Sequence, residues 1–304
     1  MGIAPTELGS SGQPDPYPVR LADQYDQLVF SRADFVGPQH FGTDFAESLP
    51  PVGELITDLP ELQRIMGRLA VTAHTAGLAH LRYGLFGYQQ VTRECTERLE
   101  LPRDDPRAFD HPEKIGVTMP HFFNEFVKAA WLHVHGHRQP RQGWHKPFYS
   151  PSAQSASPAE AMFEFLTTHV RYDLGVALLR TNTQPEHKDD YTVKVNGILG
   201  DVAVDILPHY VHIKNQVLKT LQVDKAGMRM ALRELFGARD EAWVSHEQMS
   251  GAVDLREFVA MRQSQHDRTE KRLLSSRKMS NLVVRALVKM PPESWPVDKL
   301  PVAA

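Results

Sequence analysis

The sequence predicts an all-α protein, a single bundle of about seven to nine helices, from three observations. Apolar residues recur at three- and four-residue spacing in segment after segment, as in "LPELQRIMGRLAVTAHTAGLAHLRYGLFGYQQVTRECTERLELP". Prolines punctuate those segments rather than interrupting them. No stretch alternates apolar and polar residues as a half-buried strand would, and no internal repeat, G-x-G-x-x-G or Walker loop occurs.

Residues 1–20 are rich in Gly, Ser and Pro and read as a flexible N-terminal arm. The helical domain is placed at 21–292, with a C-terminal tail at 293–304. Between Pro60 and Pro102 the spacing gives one long helix or two. The polar connector "PRDDPRAFDHPEK" leads to "MPHFFNEFVKAAWLHVHGH", where Pro120 suits a first helical turn and Phe123, Phe126, Val127, Ala130, Trp131 and Val134 form a stripe. The following 140–158 stretch is rich in Pro, Ser and Gly, with Trp144, Phe148 and Tyr149 interspersed; it reads as a mobile lid bordering a cavity. Further helices are expected at about 159–181, 188–207, 208–222, 224–237 and 251–289, the last stopped by "MPPESWP". The segments 159–181 and 188–207 carry matched apolar stripes around a Pro-containing turn, which predicts a central antiparallel helix hairpin.

Composition narrows the function. The chain has 304 residues, 41% of them hydrophobic and 23% charged, with a formal net charge of -3. Nucleic acid is not an expected partner, since phosphate binding requires a local excess of Lys and Arg. No segment approaches the ~20 apolar residues of a membrane helix, so no membrane is expected. The single cysteine, Cys95, cannot form an internal disulfide, which points to a cytoplasmic location. A homo-oligomer is left open.

The stretch "TTHVRYDLGVALLR" places polar heads in a core helix. At about 100° per residue Asp173 falls close to the stripe of Phe163, Leu166, Val170, Leu174 and Ala177. His169 lies one turn before it on the same side, and Arg180 continues the row. Counting equal distances from the turn sets Asp173 opposite Asn196 and His169 opposite Gly200 or Asp201, with Gly197 and Gly200 permitting close approach. Two readings follow. In one, the polar groups satisfy one another and fix helix register, with His187, Asp189 and Asp190 capping the second helix. In the other, His169, Asp173, His187 and Asp190 converge with Asn196 on a cavity, as a divalent-metal site or as an acid–base site of His169, Asp173 and Asn196.

"HVRYDLGVALL" followed by "HKDDYTVKVNGIL" resembles the paired motif of a mostly bacterial, all-helical family, domain of unknown function 5995. The likeness extends through "LFGYQQVTREC" and "FFNEFVKAAWL", over about residues 60–220. It implies that His169, Asp173, Leu174, Asp190 and Asn196 belong to the family's central motif. Thr167 and Thr168 stand where the family has Asn and Ala.

Other candidates are weaker. His133, His135, His137 and His145 point in different directions on a helix end and loop; His74, His80 and His121 suit packing; His209 and His212 share a face without any other haem signature. Cys95 has no activating partner near it in sequence. The function expected is an enzyme acting on a small, largely apolar molecule in a helical-bundle cavity. Phe122, Phe126, Trp131, Phe163, Phe165 and Arg180 would bind the substrate, while His169 and Asp173 supply acid–base chemistry or metal ligation. The alternative is a non-catalytic binding or assembly protein whose polar hairpin is structural.

Overall fold

The computed structural model describes residues 17–31, 43–51, 54–135, 144, 148, 164–210 and 223–287. Within them the chain is all-α, with nine α-helices. These are α1 (Tyr17–Ser31), α2 (Thr43–Ser48), α3 (Leu59–Thr75), α4 (Ala79–Leu99), α5 (Pro112–Val134), α6 (Leu174–Arg180), α7 (Val195–Tyr210), α8 (Val223–Ser250) and α9 (Leu255–Leu287).

Local chemistry sets most boundaries. Asp58 caps α3 by accepting from the Glu61 amide at 2.8 Å, with Pro60 in the first turn. The 60–101 run divides into α3 and α4 at Gly77, whose φ of +72° suits glycine best. The turn after α6 is a Schellman motif: Asn182 takes φ 49°, the Thr183 amide reaches the Leu178 carbonyl and the Asn182 amide reaches that of Leu179, both at 3.0 Å. The α9 entry is doubly capped, since Asp254 accepts from the Glu257 amide and Glu257 accepts from the Val253 amide.

Four boundaries differ from those expected. α1 begins at Tyr17, inside the stretch read as a flexible arm, and is anchored by Leu21, Ala22 and a 2.7 Å bond from the Tyr17 hydroxyl to the Val253 carbonyl. α5 begins at Pro112, and Pro120 sits in its interior. α7 passes through Pro208 to Tyr210, while 211–222 lie outside the described residues. α8 continues past Gly237 to Ser250, because Leu235, Ala238, Ala242, Trp243 and Met249 keep one face buried.

The segment 164–179 is buried throughout and forms the axis of the molecule. It and α7 are consecutive helical segments joined by the turn through 181–187. Both pack on α8 more extensively than on each other, and α5 covers another side of α6. The close approaches occur elsewhere than at Gly197 and Gly200, which have no described atom within 4 Å of an added Cβ. A Cβ on Gly175 would stand 2.9 Å from the Ala242 carbonyl of α8, and one on Gly84 would stand 2.1 Å from the Phe165 ring. Gly175→Ala and Gly84→Ala are therefore expected to lower stability by about 1–3 kcal/mol through overpacking. The exposed helical Gly197→Ala should be neutral or raise it by up to about 1 kcal/mol. Thermal melting of the three variants checks the contrast.

Candidate functional site

Residues His169–Asp173 wind as a π-turn within the helical run. This wider winding leaves carbonyls that the helix does not use, and α9 supplies their donors. Gln265 Nε2 donates to the Arg171 carbonyl at 2.6 Å, and Arg262 Nη1 donates to the Tyr172 carbonyl at 2.5 Å. The Arg262 guanidinium also lies 3.8 Å over the Tyr172 ring.

On this turn His169 Nδ1–H donates to Asp173 Oδ2 at 2.8 Å, and Trp144 Nε1–H donates to the same oxygen at 2.9 Å. Asp173 is fully buried and His169 is 1% exposed. Phe122 stacks face to face on the imidazole, with centroids 3.7 Å apart and planes 2° from parallel, and Tyr88 meets it edge-on at 4.7 Å. Phe126, Phe165 and Trp144 complete the ring of aromatics within 6.1 Å. Among the described residues, His169 Nε2, Asp173 Oδ1 and the Tyr88 hydroxyl have no hydrogen-bond partner. Burial holds the His169 pKa below the ordinary imidazole value, against the opposing pull of the Asp173 contact. Burial likewise raises the Tyr88 phenol well above its usual range.

The remaining predicted residues go to different places. Asn196 donates to the Thr192 carbonyl one turn back and does not meet Asp173, whose Oδ2 is taken by His169 and Trp144. Asp190 is tied to the start of α5, accepting from the Asp110 amide at 2.9 Å and the His111 amide at 2.7 Å. His187 Nδ1 accepts from the Gln184 amide, and its ring meets His111 at 4.6 Å. The four residues proposed as metal ligands thus divide into two pairs with separate partners. No three His, Cys, Asp or Glu side chains come together as a metal site among the described residues. Arg180 is held by Glu125 at 3.1 Å, by Asp26 at 2.7 Å and by Asp23, and so is occupied without a substrate. Trp131 stacks on His135 at 4.1 Å and meets Phe30, so its contacts lie outside the His169 ring of aromatics. Phe122, Phe126 and Phe165 surround His169. Trp144 and Phe148 of the presumed lid are buried core residues; Tyr149, Phe163, His137, His145 and His212 lie outside the described residues.

The sequence reading passed over two members of this interior. Tyr88 is one. Arg239 is the other, 5% exposed on α8 and without a hydrogen bond or ion pair among the described residues. Its helical spacing carried the signal, because Leu235, Arg239, Ala242 and His246 recur on one buried face.

The family model described as "Family of unknown function (DUF5995)" matches residues 61–276, more than half of the chain. The chain belongs to this family. The DUF5995 region takes in the His169–Asp173 π-turn and a second one at Asp190–Lys194, together with Tyr88, Phe122 and Trp144, and it reaches beyond the likeness read from sequence to include Arg239 and Arg262. No curated protein and no solved structure matches the chain.

Two outcomes are expected of this arrangement. His169 has a folded pKa below its unfolded value of about 6.5, so the unfolded chain takes up a proton that the folded chain refuses. The corresponding stability is intact above pH ~6.5 and is lost as pH falls from there toward the folded pKa. His121 and His246 are shifted the same way by burial, so the test is differential: chemical denaturation from pH 7.5 to 5 should show a shallower fall for His169→Gln than for the parent. Arg180→Met should cost on the order of 3 kcal/mol, because the buried Glu125 carboxylate loses the guanidinium at 3.1 Å, while activity per folded molecule is retained.

Proposed function

We propose that this DUF5995 protein is an enzyme acting on a small, largely apolar molecule in the middle of the bundle, with His169 as general base. One observation supports this above the rest: Nδ1 of a buried imidazole is fixed by a carboxylate while Nε2 has no partner among the described residues. Leaving a buried acceptor unsatisfied costs about 1–3 kcal/mol, a loss that a substrate proton presented to Nε2 would recover. Burial keeps the ring neutral near pH 7, the form that accepts a proton. When Nε2 takes a proton from the substrate, the bonding electron pair stays on the substrate. The Nδ1–H···Asp173 contact then faces an imidazolium, which the carboxylate stabilises. Trp144 holds that carboxylate from a second direction, and Phe122 fixes the ring plane.

The aromatic surround suits an apolar substrate body and excludes water, conditions that fit proton transfer, cyclisation or dehydration. Hydrolysis or oxidation through a divalent metal would need ligands beyond His169 and Asp173, so the acid–base version is the one this geometry favours. A cytoplasmic setting is part of the proposal, consistent with the lone, buried thiol of Cys95. Among the described residues, no helix is long and apolar enough to cross a membrane. A second reading has its own observation: Asp173 Oδ2 joins Trp144 to the 169–173 turn, as a purely structural latch would.

The two readings separate experimentally. Incubation with a small-molecule extract, followed by mass spectrometry, should reveal a compound consumed by the parent protein and untouched by His169→Gln, with both proteins folded at the assay temperature. Asp173→Asn should lose activity with only a small change in melting temperature. The rate should hold through pH ~6.5 and decline only at lower pH, because burial keeps the His169 pKa below the ordinary imidazole value. A His169→Gln protein that consumes the compound at the parent rate overturns the general-base role, and a strongly destabilised but fully active Asp173→Asn protein supports the latch.

A further inference from the structure

Arg239 is the polar group in this interior that the general base leaves unused. The other well-buried arginines are compensated. Arg171 meets Glu241 at 2.6 Å and Glu234 at 3.3 Å, Arg180 meets three carboxylates, and Arg98 meets Glu94 and Asp201. Arg262 bonds a backbone carbonyl and stacks on Tyr172. Arg82 bonds His74 and the Tyr83 hydroxyl. Arg239 alone among these six arginines has neither a carboxylate nor a hydrogen bond among the described residues, although it is 5% exposed.

Besides the His169 imidazole, the groups close enough to couple to it are Cys95, Tyr88 and Tyr191. All three are neutral at pH 7: burial lifts the Cys95 thiol and the Tyr191 phenol each to about 12, and Tyr88 well above its usual range. Desolvation pulls Arg239 down to about 10, which still leaves it charged. A buried charge without a counter-ion is strongly unfavourable, and a ligand that supplies one recovers that loss on binding. Tyr88 connects this charge to the proposed base, since its edge meets the His169 ring at 4.7 Å while its own hydroxyl is unpartnered and couples to Arg239.

We infer that Arg239 is the counter-ion for a carboxylate on the substrate, with the Tyr88 hydroxyl as a neighbouring donor and the apolar body of the molecule lying along the aromatics toward His169 Nε2. The guanidinium fork matches a carboxylate in two parallel hydrogen bonds. One cation among neutral neighbours matches a monoanion; a phosphate dianion would bring a second negative charge, and the nearby Arg98 is already held by Glu94 and Asp201. The path toward His169 rests on the general-base reading, whereas the anion contact does not.

Calorimetric titration of the full chain with phenylacetate, hexanoate, phenylacetamide and inorganic phosphate tests the inference. Phenylacetate or hexanoate should bind and raise the melting temperature, with phenylacetamide and phosphate at least about tenfold weaker. Arg239→Met should abolish carboxylate binding and raise the melting temperature of the ligand-free protein, because an uncompensated buried charge is gone. A structural arginine predicts the reverse. Arg239→Gln, which keeps a polar head without charge, serves if the methionine variant does not fold, and it too should lose carboxylate binding. Carboxylate affinity unchanged in the variant that folds, phosphate preferred over both carboxylates, or no binding of either carboxylate at millimolar concentration overturns the inference. His169→Gln should retain phenylacetate binding, so loss of turnover with intact binding locates a failure in the anion contact or in the base separately.

Discussion

The interior is organised around one carboxylate oxygen. Asp173 Oδ2 accepts from His169 within its own turn and from Trp144 of a distant segment, and both contacts are shut away from solvent. The backbone that carries Asp173 is wound as a π-turn, so part of its carbonyl demand falls outside the helix and is met by Arg262 and Gln265 of α9. A local departure from α-geometry therefore recruits a helix almost 100 residues away as its support, and the same turn cannot relax without stranding buried polar atoms on two elements. Packing follows from this: Gly175, two residues on, lets α8 come within contact of the turn's continuation, and that brings Arg239 into the same interior.

The charges inside the protein are of two kinds. Arg171 and Arg180 each meet two or more carboxylates, which tie α8 and α1 to the axis and offset their charge without any ligand. Arg239 and the imidazole Nε2 are incomplete. Stability alone selects against such groups.

The two family motif segments carry different work. "HVRYD" builds the enclosed His–Asp pair. "DYTVK" is also a π-turn, but Asp190 spends both oxygens on the Asp110 and His111 amides at the start of α5, where His111 offers no side-chain cap. That contact favours a negative charge at a helix N-terminus and fixes α5, which in turn sets Phe122 on the face of His169. Tyr191 next to it closes a hydroxyl network with Thr118 and Thr181. The first segment thus holds the buried His–Asp pair, and the second supports the helix that packs on it.

Helical periodicity and proline placement determined the fold class, the buried position of His169 and Asp173, and the aromatic stripe carrying Phe122 and Phe126, because each depends on spacing along a single helix. The i, i+4 spacing of His169 and Asp173 likewise made their contact legible. Tertiary structure alone decided who stands opposite. Equal counting from the turn set Asn196 against Asp173, yet the first segment packs chiefly on α8 and α7 chiefly on α4, and a π-turn shifts the register that a regular helix would keep. Arg180 looked available because the carboxylates that hold it come from α1 and α5, up to 157 residues away. Trp144 looked like a lid for the same reason, its partner lying 29 residues further on. Sequence spacing fixes directions within an element; the pairing of polar groups between elements is set by packing, and that pairing is what left His169 Nε2 and Arg239 without partners among the described residues.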